Sequence, residues 1–395
     1  MDPRESPSVP ALALAHPRTT SSIAARETVS SGPAWAVALL AALPVAAQNP
    51  PPSALVNQRD PEALEAARAA APHSPDDTYA YFEDEVSTAM ARAIESVWDP
   101  SQMEPSALRT PWGDPDVAGY WVSASYTPME RPAALADKPF YTPQEAIEAF
   151  ERGVLGDAAT DPATVHYDWA EFGMDNWQTP IRPNLRTSLI VNPPTGRKPP
   201  LTAEGQERFE AHAPRHTLES RNLYERCITG DQGPPRVPAA QAVGESQIIQ
   251  TPDYVLLITQ TNSDVRIIPL DGRPPPPDDV GTYLGISRGH WEGETLVVET
   301  TNFREQARVR RIQEVGPNLH LVERFTRIEE DLLLYEATLT DPTTWEAPWT
   351  FEVPWPKLDP PGLFEWACHE SNYGIINAVR GAQVRAAEFE TEPEP

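Results

Sequence analysis

Through the second half of the chain, apolar residues recur with a period close to two in short runs: SQIIQ (246–250), DYVLLIT (253–259), SDVRIIP (263–269), ETLVVET (294–300), HLVERFTRI (320–328), LLLYEATL (332–339) and WTFEVPW (349–355). Rich in β-branched and aromatic residues and separated by short turn-forming segments, these runs predict strands in an antiparallel meander. HWEGETLVVET reads as strand, Glu-Gly-Glu turn and strand, and TRIEEDLLLYEA as a second hairpin, so consecutive strands should be neighbours. Seven or eight such strands close most readily into an up-and-down, lipocalin-like barrel, because closure removes exposed edges. The expected fold class is therefore mainly β, with helical and Pro-rich N-terminal extensions. No strand alternates with a helix at the spacing of a βαβ unit.

The same alternation assigns faces. In HLVERFTRI, His320, Val322, Arg324 and Thr326 share one face, and Leu321, Glu323, Phe325 and Arg327 the other. In the next run Leu333, Tyr335, Ala337 and Leu339 oppose Leu334, Glu336 and Thr338. Mixed faces of this kind suit a cavity with polar decoration, and equally a solvated face carrying salt bridges.

The first half reads differently. TYAYFEDEVSTAMARAIESV (78–97) spaces Tyr81, Val86, Met90, Ile94 and Val97 for an amphipathic helix, and TPQEAIEAFERGV places Thr142 and Glu145 as a capping box. Between Trp112 and Pro200, short apolar runs broken by Pro, Gly, Asp and Asn suit a segment that wraps around a core. Ala34 to Ala47 reads AWAVALLAALPVAA, too short to span a bilayer and ending in small residues, which is the pattern of a secretory signal and its cleavage site. The expected organisation is a signal segment over 1–47 with an over-extended start, a Pro-rich linker and helical extension over 48–108, a single β-rich domain over 109–385 and an acidic disordered tail over 386–395. A periplasmic or extracellular product follows, with no integral membrane segment after processing.

Composition narrows the partners. The 46 prolines among 395 residues are spread along the chain, which excludes long helical bundles and coiled coils. Acidic residues outnumber basic ones 58 to 31, a formal charge of −27, so a nucleic-acid backbone or an anionic membrane would be repelled. The only two cysteines, Cys227 and Cys368, lie in ERCITG and WACHES without a CxxC partner. In an oxidising compartment they are expected to pair, a reactive thiol being the alternative. The chain has no GxGxxG, GxxxxGK[ST] or HExxH motif.

His369, Glu370, Asn372 and Tyr373 form the densest polar cluster, directly after Cys368. A bridge there would fix the backbone, and His369 with Glu370 would then suit general acid–base work. The bland alternative is a closing loop whose polar groups satisfy the backbone. Arg266 and Arg288 are candidates to anchor a ligand carboxylate, with Asp264 and Glu292 as competing neighbours. His320 and Trp291 complete the candidate ligand set, and Trp345, Trp349, Trp355 and Trp366 suit either stacking on a ligand or a core. His290, His320 and His369 could in principle meet as metal ligands, but sequence separation says nothing about their distance, and Pro214 interrupts the helical spacing of His212 and His216; no metal and no cofactor is expected.

TPWGDPDVAGYWVSASYTPMERP, RTSLIVNPPTGRKPPLT, ERC, QIIQTPDYV, RIIPLDGRP, SRGHWEGETLVVETTNF, LHLVERFTRI and ACHESNYG, in that order from about Arg109 to about Gly374, resemble a family of secreted bacterial proteins without an assigned activity. The family pattern places histidines where this chain has Ser263 and Pro275, a departure that leaves no histidine beside Arg266. Gly119-Tyr120-Trp121 is also similar to the Gly-x-Trp opening of lipocalin-type barrels. The expected function is a secreted protein binding a small apolar or aromatic molecule. The alternatives are a cofactor-free lyase, isomerase or hydrolase on the same scaffold, and a carbohydrate-binding or envelope interaction protein using its tryptophans.

Overall fold

All seven alternating runs form strands, and the chain adds three more. The computed structural model describes residues 90–91, 96–135, 137–158, 181–210, 218, 221–230, 233–238, 244–277, 279–304, 312, 317–358, 361–370 and 372–391. Contacts divide the chain after Asp60, and every described residue belongs to the unit that begins at Pro61. The signal segment, the Pro-rich linker, most of the 78–97 stretch, His212 and His216 lie outside the described residues.

The strands are β1 (Gly119–Val122), β2 (Ile190–Asn192), β3 (Glu245–Gln250), β4 (Tyr254–Thr259), β5 (Val265–Pro269), β6 (Ile286–Glu292), β7 (Thr295–Thr301), β8 (His320–Glu329), β9 (Leu332–Thr340) and β10 (Trp349–Pro356). Three helices, α1 (Pro143–Ala158), α2 (Ala203–Glu210) and α3 (Tyr373–Thr391), accompany them. One sheet has the order β1-β3-β4-β5 and the other β2-β10-β9-β8-β7-β6, with every pairing antiparallel. Both expected hairpins form, β6 to β7 through Gly293, whose φ of +59° suits the turn, and β8 to β9.

The single closed barrel does not form: among the described residues no ladder joins β5 to β6, and β1 reaches the end of β10 only through the bridge between Trp121 and Lys357. The up-and-down order breaks at β5 and β6. Arg266 faces Ser287 and Ile268 faces Gly289, so β5 and β6 run the same way. Same-direction neighbours need a crossover connection, not a hairpin. The crossover from Leu270 to Gly285 carries Pro274, Pro275, Pro276 and Pro277, which have no N–H to pair.

Between the sheets lies one large apolar core. Trp121, Phe325, Tyr335, Phe351 and Trp355 are fully buried in it, with Tyr335 stacked on Trp355 at 4.7 Å between ring centroids. Trp345 and Trp349 are equally buried, so these tryptophans belong to the core and form no exposed platform. The faces read from alternation hold in β8 and β9, with Leu321, Glu323, Phe325 and Arg327 inward.

The wrapping segment also behaves as its sequence suggests. Thr142 and Glu145 cap α1 reciprocally, and Lys138 beside Glu145 draws its carboxyl down to about 2. Two boundaries shift. Trp98 packs on Ile328 and Leu332, so the packed body starts before Arg109, and α3 extends helical structure to Thr391, inside the segment expected as a tail. No helix among the described residues is long and apolar enough to cross a membrane.

Candidate functional site

β5 and β6 are outer strands of their sheets and lie side by side. Gly289 permits close approach at one point, since a Cβ there would sit 2.8 Å from Ile268 Cγ2 and from Leu270 Cδ2. Further along, the seam holds a cleft of about 560 Å³ whose walls include Asp264, Arg266, Ile267, Tyr283, Ile286 and Ser287. Ile228 and Thr229, next to Cys227, also line it.

Arg266 spans the seam where a ladder is missing. From β5 its guanidinium donates to Glu323 on β8 in a bidentate pair, to Ser287 Oγ on β6 at 3.0 Å and to Thr300 Oγ1 on β7 at 3.1 Å. Tyr335 donates its hydroxyl to Glu323 at 2.8 Å and accepts the Arg236 backbone N–H at 2.8 Å. Arg236, fully buried, donates in turn to Gly244 O and Ser246 Oγ, so a connected polar network crosses the core. Burial, with Glu323 beside it, pushes the Tyr335 hydroxyl well above its ordinary pKa, which keeps it a neutral donor.

Asp264 stands two residues before Arg266, on the same inward face of the chain. Burial raises its carboxyl to about 6, against the pull of the Gly230 N–H at 2.7 Å, the Asn262 side chain and the Arg236 charge. The native state therefore binds more protons than the unfolded chain between about pH 4 and 6. This contribution to stability is present at low pH and is lost as pH rises through about 6. Asp264→Asn is expected to flatten the slope of stability against pH in that window, as read by urea unfolding, and an unchanged slope would assign the proton elsewhere.

The cleft is framed by unusual backbone. All four non-glycine residues with positive φ among the described residues adjoin it or its crossover: Cys227 (53°), Asn262 (59°), Ser263 (52°) and Asn302 (56°). Asn302 donates its side-chain amide to Pro277 O at 3.0 Å and Val280 O at 3.1 Å, holding the crossover in place. Such conformations are costly for non-glycine residues and persist where the surroundings enforce them, commonly at functional sites. Gly230 is also required sterically, because a Cβ would stand 2.7 Å from Thr261 O.

The residues selected from sequence separate into groups. Cys227 and Cys368 form the expected disulfide, with 5.6 Å between Cα atoms, so the turn after Trp366 is fastened beside Ile228. His369, Glu370 and Tyr373 are exposed on that turn and at the start of α3, and none lines the cleft. Asn372 donates to Glu225 O at 3.4 Å and lies 3.2 Å from Cys227 Sγ, bracing the bridge. Arg266 lines the cleft, but its partner is Glu323, not neighbouring Asp264.

Arg288 donates to Ser287 O and Pro274 O, tying the crossover to β6, while Glu292 pairs with Arg324 and His290. His320 lies 3.2 Å from Glu299 on the outward face, and half-buried Trp291 packs against the core. Among the described residues no group of three His, Cys, Asp or Glu side chains is placed to hold a metal ion.

Sequence reasoning passed over Asp264, Glu323 and Tyr335 as site residues. The signal was present in the alternation: Glu323 is in phase with Leu321 and Phe325, and Asp264 with Arg266 and Ile268. A charge in phase with an inward face must find a buried partner. No family model, curated protein or solved structure matches this chain.

Proposed function

We propose that this chain is an exported small-molecule-binding protein whose ligand occupies the seam cleft. The observation that carries the reading is the cleft's make-up: Asp264 and Arg266 set among apolar Ile228, Ile267 and Ile286, in a volume within the range of ligand pockets. The space between the sheets is filled by Trp121, Tyr335 and Trp355, which argues for the seam over the interior. The arrangement supports a lipocalin-like barrel in a modified form. Nine strands, taken in the order β1, β3 to β10, trace a ring, and an odd ring of antiparallel strands needs one same-direction pair. That pair is β5 and β6, and the cleft lies where the ladder between them is missing. The disulfide accords with the secretory pattern and with the resemblance to a secreted family.

The test uses protein purified from its own host. Native mass spectrometry is expected to find a small molecule retained by the wild-type chain and absent from Val265→Trp, whose new ring fills the cleft from a half-exposed strand position that tolerates aromatics. Equal retention by both proteins, at equal thermal stability, would move the ligand elsewhere. A second reading, a cofactor-free enzyme, is favoured by one observation: the Asp264 carboxyl, held at about 6, suits proton transfer near neutral pH.

A further inference from the structure

We infer that the cleft takes an organic cation, an amine carried on an apolar body, with Asp264 as its counter-ion. This rests on the seam cleft being the ligand site, and it follows from the balance of charge around it. Among the described residues that line the cleft, Asp264 and Arg266 are the only ionisable side chains of Asp, Glu, Lys, Arg or His type. Arg266 is neutralised by Glu323, which is fully buried, so the guanidinium is not free to receive a carboxylate ligand. Behind Asp264, the buried Arg236 acts on both Asp264 and Glu245. Among the described residues, two guanidinium groups, Arg236 and Arg266, thus face three carboxylates, Glu245, Asp264 and Glu323, leaving one negative charge in excess.

Of those three, Asp264 is the one that reaches the cleft. A proton or a cationic ligand there completes the balance, and the partial burial of Asp264 strengthens such a pair. Among the described residues, the nearby cations Arg304 and Arg288 do not already fill this role. Arg304 stacks on the Tyr283 ring at 5.3 Å, and Arg288 donates to backbone carbonyls. A second observation points to a ligand: Arg266, 5% exposed in its side chain and lining the cleft, keeps its Nε–H without a partner among the described residues. Two positions along an extended chain span about 7 Å. An amine meeting Asp264 and an acceptor about that distance away meeting Arg266 would satisfy both groups. The overall charge of −27 also draws cations toward the surface.

The test is a titration of the full exported chain, stripped of any retained molecule, with phenethylamine, phenethyl alcohol and 3-phenylpropionate, followed by calorimetry and by NMR shifts. At pH 7.5 the amine is expected to bind at least tenfold more tightly than the other two. At pH 5, where Asp264 is mostly protonated, amine affinity should fall about tenfold. Asp264→Asn should reduce the amine to the level of the alcohol and remove the pH dependence, while Val265→Trp should abolish binding of all three. If the alcohol or the carboxylate binds as well as the amine, and Val265→Trp abolishes it, the cleft stands and the cation assignment falls. If no probe gives a saturable change, or Val265→Trp leaves binding intact, the cleft assignment falls with it.

Discussion

Arg266→Leu is expected to destabilise the protein by about 3–5 kcal/mol, the range seen when one partner of a buried ion pair is removed. Glu323 has no exposed surface, and without Arg266 its charge would remain in the core with the Tyr335 hydroxyl as its one donor among the described residues. Glu323→Leu should be comparably harmful, since it strands the Arg266 guanidinium and leaves Tyr335 without its acceptor. The informative variant is the double one. Leucine at both positions removes both charges together, so its loss should be well below the sum of the single losses, a coupling that a double-mutant cycle in urea reads directly. Additive losses would mean that the two side chains do not act as a pair across the seam. Because Arg266 spans three strands of the opposite sheet, Arg266→Leu should also loosen the cleft, which hydrogen exchange of the β5 and β6 amides would register.

Much of this architecture is written in period-two patterning, and the reason is physical. A strand with one face in a core must alternate, so β3 to β5 and β7 to β10 are visible from their residues alone, as are the Glu-Gly-Glu hairpin and the Thr142–Glu145 cap. What alternation cannot supply is which outer strands meet. The up-and-down order breaks at β5 and β6, which run the same way, a global property that no local run carries. β1 and β2 were illegible for a different reason: each is short and sits in the wrapping segment, where neighbours already in place decide the conformation.

The site was only half legible. Arg266 and the cysteine pair stood out by residue type, yet the Arg266 partner lies 57 positions away on another sheet. His369 and Glu370 drew attention by local density, which is a poor guide when the turn that carries them is exposed. From its position Asp264 reads as a competitor for Arg266. Its neighbours instead are Gly230, Asn262 and Arg236, brought in from the disulfide-bearing loop and the buried network.

Loss of the Cys227–Cys368 bridge should have the second large effect. The two half-cystines are separated by 141 positions, and a closed loop of that size restricts the unfolded chain strongly, so Cys227→Ser/Cys368→Ser is expected to cost about 2–5 kcal/mol. The bridge also has a local task. Cys227 is held at positive φ, Ile228 donates its N–H to Leu223 O, and Asn372 braces the same turn, so the lip formed by Ile228 and Thr229 is fixed from both sides. Releasing it should weaken ligand retention beyond what lower global stability explains. The two effects separate under conditions where the double variant is still fully folded. There, urea titration should show a lowered midpoint with a steeper slope, because the unfolded chain is freed to expose more surface, and native mass spectrometry should show a reduced fraction of ligand-bound protein. Full retention at equal folded fraction would reduce the bridge to a purely global staple, with the lip held by the Gly230–Asp264 hydrogen bond alone.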